Sequence, residues 1–189
     1  MEYDNKKIAV LTSGGDASGM NACIRAVVRY AMSQGYTVYG VRRGYVGLIE
    51  DDIFEMKYSS VSNCVHTGGT ILRTGRSKEF MQTEVMKKAV DNLLKRGCNH
   101  LVVIGGDGSF RGLQEIHKHT DMRVIGIPAT IDNDMGYTDY TIGFDTACNT
   151  VIDAILRLRD TITSHDRIMI LEVMGRHCGD IALYSGIAS

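Results

Sequence analysis

Two carboxylates one residue apart, Asp132 and Asp134 in PATIDND, follow a β-branched run that ends at the chain's only proline. In extended backbone, side chains two apart point to the same side, so the pair can address one point. Neighbouring carboxylates repel and raise the pKa of one, which suits a base that takes a proton from a hydroxyl. A solvated Asx-rich turn would carry the same letters. A third acid, Asp107, stands in GGDGS between glycines that leave backbone amides open. It either caps a helix or holds Mg²⁺ on a phosphate bound by those amides.

TSGGDASGMN sets Gly14 and Gly15 between a strand-like and a helix-like run. It is neither GxGxxG nor GxxxxGK[ST], and reads equally as a phosphate cradle at a helix N-terminus or as a tight turn. Positive charge comes from Arg73 and Arg76 in ILRTGRS, Arg167 in SHDRI, and Arg176 beside His177 in MGRHCGD. Guanidinium forks match phosphate oxygens. Several at one edge would bind a phosphorylated substrate, whereas each alone reads as a surface charge. His66, His100, His117, His119 and His165 have no metal-ligand spacing.

Alternating elements must position these groups. KIAVLT, TVYGV, HLVVIG, RVIGIP and DRIMILEVMG read as strands. Ile24, Val27, Val28 and Ala31 make one helical face in MNACIRAVVRYAMSQ. Met86, Ala89, Val90, Leu93 and Leu94 make another in FMQTEVMKKAVDNLLKRG. Gly35 and Gly97 close these two helices. RGLQEIHKH, FDTACNTVIDAILRLRDTIT and DIALYSGIAS are further helical runs, and residues 45–77 stay partly irregular. Apolar strands joined by helices predict an α/β fold with a parallel sheet covered on both faces. Ligands of such sheets sit at the carboxyl ends of the strands, so the three polar glycine loops are expected on one edge.

The 189 residues suffice for one domain and a fraction. Their 21 basic against 22 acidic residues exclude a strong field for nucleic acid or a membrane surface. No apolar run reaches the length of a bilayer span, and the first residues lack a signal-peptide pattern. Cys23, Cys64, Cys98, Cys148 and Cys178 are scattered and odd in number, which predicts free thiols in a reducing cytosol. The chain stops one turn into an apparent helix, and we expect it to be truncated.

Taken in order, TSGGDASGMN, GGDGS, PATIDND, TIGFDTA and EVMGRHCGD closely resemble the ATP-dependent 6-phosphofructokinase family, from about Lys7 to the end. The resemblance implies two Rossmann-like lobes, with an ATP-binding lobe over residues 1–137 and the start of a substrate lobe over 138–189. It implies transfer of the γ-phosphoryl of Mg-ATP to the 1-hydroxyl of fructose 6-phosphate, a cytoplasmic step of glycolysis. By position, Asp132 is then the base, Asp134 assists, and Asp107 holds Mg²⁺. Gly15, Arg76, Ser77, Gly106, Gly108 and Ser109 line the nucleotide site with Tyr45 nearby, and Arg76 also stabilises the moving phosphoryl. Thr130, Ile131, Met174, Gly175 and Arg176 contact the sugar phosphate with Asp132, and Arg176 joins the catalytic set. Arg167 matches an arginine that reaches the 6-phosphate of a neighbouring subunit, implying a homo-oligomer, a tetramer in the family. Arg25, Arg29 and Arg159 match an effector site for ADP and phosphoenolpyruvate. Ser18 and Ala129 depart from the family's proline and glycine. Pyrophosphate-dependent relatives carry Asp where this chain has Gly108 and Lys where it has Ala129. Both differences favour ATP over pyrophosphate. A non-catalytic nucleotide-binding module remains the reading from another class.

Overall fold

The structure is a computed structural model that describes residues 6–189. Its first part alternates strand and helix: β1 (Lys7–Ser13), α1 (Met20–Ser33), β2 (Thr37–Val41), α2 (Gly44–Ile49) and β3 (Ile53–Glu55). After two single turns of 3-10 helix come α3 (Thr83–Leu94), β4 (His100–Gly105), α4 (Asp107–His119) and β5 (Arg123–Pro128). Two helices follow, α5 (Phe144–Ser164) and α6 (Asp180–Ile187).

The strands form one sheet in the order β3-β2-β1-β4-β5. β2, β1, β4 and β5 run parallel, and short β3 pairs antiparallel with β2 at the edge. The expected α/β sheet is therefore present, with one antiparallel margin that lies in the region left irregular.

Strand alternation divides the core between two faces. Ala9, Leu11, Leu101 and Val103 face α2, α3 and α4, with Leu48, Met86, Leu93 and Ile116. Val10, Val38, Val102 and Ile104 face α1, with Met20, Ile24 and Val28. Burial on both faces explains why the central strands β1 and β4 read as continuous apolar runs. Leu94 is the exception on the second helical face: it is the last residue of α3 and 45% exposed. A third, smaller cluster joins Phe144 and Cys148 of α5 to Ile181 of α6, with Ile131 and Val173 against it.

The strand expected over DRIMILEVMG is not formed. Ile168 and Ile170 stand 95% and 91% exposed. A strand needs a neighbour to take its backbone hydrogen bonds, and none of β1–β5 lies beside this segment. Arg167 and Arg176 therefore sit on turns and irregular chain, not at strand ends. All five cysteines are free, and no helix among the described residues is long and apolar enough to cross a membrane.

Candidate phosphate-transfer site

Because β1, β4 and β5 are parallel, Ser13, Gly105 and Pro128 end side by side. The loops that follow meet there. A Cβ on Gly14 would lie 3.4 Å from Ser109 Oγ, and one on Gly106 would lie 3.4 Å from Thr130 Cβ. Gly105 is demanded by this convergence, since a Cβ there would sit 2.4 Å from the Ser13 carbonyl oxygen. A fourth segment closes the edge. Gly143, at φ 105 before α5, has room only for hydrogen because Ala17 Cβ stands 2.7 Å away.

Residues 70–77 are tied to the same edge. Buried Thr12 donates to the Arg73 carbonyl at 2.8 Å and lies 3.0 Å from the Thr70 hydroxyl. Thr74 donates to the Gly14 carbonyl. Arg76 is thereby held near the first loop with its side chain exposed, and Ser77 Oγ accepts from Phe80 N at 3.2 Å. Asn21 anchors the preceding excursion by donating to the Thr67 carbonyl at 2.9 Å and accepting from Ile71 N at 2.8 Å.

Gly15 and Gly108 stand apart from the other glycines of this edge. Neither has positive φ, and nothing lies within 4 Å of where a Cβ would be. The fold requires neither glycine, so what they leave is open space over backbone amides. GGDGS is not a loop: Gly106 is the residue before α4, and Asp107, Gly108 and Ser109 form its first turn. The amides of Asp107 and Gly108 are among the four at a helix start without an intrahelical partner, whereas Ser109 N donates to the Gly106 carbonyl at 3.0 Å. Ser109 is buried, with its hydroxyl turned toward Gly14 and Gly105.

Asp107 is exposed and paired with Arg111 at 2.9 Å across one helical turn. Arg111 was not among the residues expected at the site, although the i, i+4 spacing is visible in DGSFR. No group of three or more His, Cys, Asp or Glu side chains gathers among the described residues. A lone carboxylate beside open amides does fit Mg²⁺, which keeps several waters and takes its other ligands from phosphates.

Tyr45, expected near the nucleotide, is buried. It is 5% accessible, stacks on Phe80 at 4.1 Å, and donates to the Ser109 carbonyl at 2.7 Å. Burial raises its pKa. It braces the start of α4 from below. Ile131 likewise packs into the apolar clusters on both sides of it, so its backbone is what a ligand could meet.

The Asp132 segment is a turn. Asn133 has φ 52, so the extended alternation that would align Asp132 with Asp134 is broken. Asp132 N donates to Thr130 Oγ1 at 3.2 Å, and Asp134 is exposed. The turn is organised by Asn133, an amide that the carboxylate pattern masks. Its Oδ1 accepts from Thr141 N at 3.0 Å, while its Nδ2 donates to the Asp139 carbonyl at 3.3 Å. The same Nδ2 donates to Asp180 Oδ2 at 3.2 Å.

Asp180 opens α6 just after the turn that carries Gly175 and Arg176. Gly175 is buried at φ 149, and Cys178 N closes the turn on the Gly175 carbonyl at 2.8 Å. Arg176 is exposed, as is Met174 at 74%. Arg167 is exposed after α5. Arg25 donates to the Val61 carbonyl and Arg29 lies over the Tyr58 ring at 5.6 Å, so both pin the first 3-10 turn to α1. Arg159 is exposed on α5.

Fold and site together define an α/β lobe whose glycine turns and carboxylate-bearing turn meet at the carboxyl edge of its sheet, with open space at Gly15 and Gly108. The phosphofructokinase family profile matches residues 7–189, and the chain belongs to that family. It is 61% identical over 183 residues to the ATP-dependent 6-phosphofructokinase 1 of Clostridium perfringens, covering 97% of this chain and 57% of that protein. The phosphofructokinase structure from Saccharomyces cerevisiae superposes with a TM-score of 0.89 at 38% identity, over 96% of this chain and 28% of that one. A pyrophosphate-dependent phosphofructokinase structure from Marinobacter aquaeolei gives 0.81 at 25% identity, over 97% and 50%. The chain thus spans a little over half the length of the curated relatives it matches.

Proposed function

We propose that the full-length protein containing this chain transfers the γ-phosphoryl of Mg-ATP to the 1-hydroxyl of fructose 6-phosphate. The observation that carries this reading is the open space above Gly15 and Gly108 on the edge shared with the Asp132 turn. Phosphoryl transfer depends mainly on positioning and on charge stabilisation, and this edge offers both. Gly15, Gly106 and Gly108 receive the nucleotide phosphates through backbone amides, and Ser109, Arg76 and Ser77 line the same site. Asp107 holds Mg²⁺, which neutralises phosphate charge when bound. Thr130, Met174, Gly175 and Arg176 position the sugar phosphate, and Asp132, helped by Asp134, takes the hydroxyl proton. Arg76 and Arg176 balance charge on the moving group.

Gly108 favours ATP over pyrophosphate, since a carboxylate there would repel the α-phosphate. Residues 1–137 act as the nucleotide lobe and 138–189 begin the sugar-phosphate lobe. The third apolar cluster, built from α5 and α6, supports that division. In the same reading the protein is a cytoplasmic homo-oligomer. Arg167 reaches a neighbouring subunit's substrate, and Arg25, Arg29 and Arg159 take a phosphorylated effector.

The test is a coupled assay on the full-length protein with fructose 6-phosphate and either ATP or pyrophosphate. Turnover with ATP is expected, and turnover with pyrophosphate alone would overturn the donor assignment. The 189-residue chain by itself is expected to bind Mg-nucleotide without turnover. Its share of the sugar-phosphate site comprises only the 130–134 and 174–176 segments and Arg167.

A further inference from the structure

We propose that Asn133 is a positioning residue for the transfer, and that its hydrogen bond to Asp180 locks the Asp132 turn to the Arg176 turn. The inference rests on the phosphoryl-transfer reading above and deepens it. Asn133 sits between two candidate carboxylates and carries no role in the chemistry, yet it is the most connected side chain of the segment.

The amide's orientation is fixed by its partners. Thr141 N is a donor, so the atom 3.0 Å away must be the oxygen. The nitrogen then faces two acceptors, the Asp139 carbonyl at 3.3 Å and Asp180 Oδ2 at 3.2 Å. The Thr141 hydroxyl completes the turn by donating to the Thr130 carbonyl at 2.6 Å. Asparagine is also the residue that tolerates the left-handed φ of 52 found here. One side chain therefore sets the path of residues 130–141 and reaches 47 residues along the chain to the first turn of α6.

That reach has a chemical meaning. Asp180 follows the Gly175–Cys178 turn after a single residue, Gly179, so fixing its carboxylate fixes the base of the loop that carries Arg176. The groups proposed to take the hydroxyl proton and to hold the phosphate lie on separate segments. The hydrogen bond between Asn133 and Asp180 sets their separation. A carboxylate at 133 would keep the acceptor for Thr141 but lose both donors, and would oppose Asp180 with like charge.

The experiment uses the full-length protein and compares wild type, Asn133→Asp, Asp180→Ala, Asp180→Asn and the double variant Asn133→Asp/Asp180→Asn. Misplacement by about 1 Å costs on the order of 10²-fold in rate. We therefore expect kcat of Asn133→Asp to fall about 10²-fold while the KM for ATP stays within about threefold. Asp180→Ala, which leaves the turn's own bonds intact, should lose about tenfold in kcat. In the double variant the amide at 180 can donate to the carboxylate at 133, and kcat should recover at least about tenfold over Asn133→Asp. The proposal is overturned if Asp180→Ala keeps wild-type kcat, or if the double variant is no better than Asn133→Asp when both are folded. Should Asn133→Asp fail to fold, Asp180→Ala alone decides. Absence of wild-type turnover would instead overturn the phosphoryl-transfer reading itself.

Discussion

Replacing Gly108 with aspartate separates what the fold needs from what the ligand needs. Gly108 is the second residue of α4, without positive φ and with nothing within 4 Å of an added Cβ. Removing glycine from a helix stabilises by about 0.4–1 kcal/mol through the unfolded chain. An acid in the first turn adds about 0.3–1 kcal/mol against the helix dipole. The fold should therefore be unharmed or about 1 kcal/mol more stable, with Tm higher by about 2–4 °C. Binding should go the other way. One unit charge about 5 Å from the carboxylate costs about 3 kcal/mol at an effective dielectric of 20, and about 1 kcal/mol in water. That range corresponds to a loss of about 4- to 10²-fold in affinity. Thermal unfolding of the 189-residue chain, with and without Mg-ATP, reads both quantities in one titration. A Gly108→Asp variant that is at least as stable as wild type and binds ATP equally well would refute the phosphate assignment of this edge.

Asp132→Asn keeps size and turn geometry but removes the base, so kcat of the full-length protein should fall about 10²–10⁴-fold with little change in sugar-phosphate binding. A kcat within a few-fold of wild type would remove Asp132 from that role. Arg111→Met frees Asp107 from its 2.9 Å partner. Because exposed pairs contribute about 0–1 kcal/mol, the Mg²⁺ concentration needed for half-maximal nucleotide binding should drop up to about 5-fold, measured by titration at fixed nucleotide. Burial pushes the Cys98 thiol up to about 11 from 9.0. The folded state then holds this proton more tightly than the unfolded one, so its contribution to stability is complete below pH 9 and is lost as pH rises toward 11. Denaturant midpoints measured across that window should decline less steeply in Cys98→Ala.

Much of this was readable from residues. The periodicities of α1 and α3 and the apolar runs of β1, β2 and β4 reflect burial that the local sequence must satisfy, whereas β5 carries a similar run at the sheet edge with Ile125 61% exposed. Strands in parallel then bring the glycine loops to one edge without further information. What escaped depends on partners distant in the chain. GYVGLI is too short to show a helical period, and IFE is a strand only because β2 offers it an edge. IMILEV has the composition of a strand and no neighbour here, so composition misled. Tyr45, which the resemblance sets near the nucleotide, is a buried brace under the start of α4. Asn21 and Asn133 lie inside motifs dominated by glycines and acids, and nothing local marks their amides as the ties between segments. Only contacts 46 and 47 residues away reveal them.

The register of the central strand also bears on how the chain is made. β1 lies in the middle of the sheet, yet its second neighbour, β4, begins with His100 opposite Ile8, on the order of 90 residues later. At about 5–20 residues per second of synthesis, one side of β1 waits about 5–20 s for its partner. During that interval β1 can pair only with β2. Its other edge stays open, with Val10 and Leu11 still without their full complement of packing, to chaperones or to the same segment of a second nascent chain. Refolding from denaturant faces the same long closure before the sheet exists, so its rate should fall well below that of a helical domain of similar size.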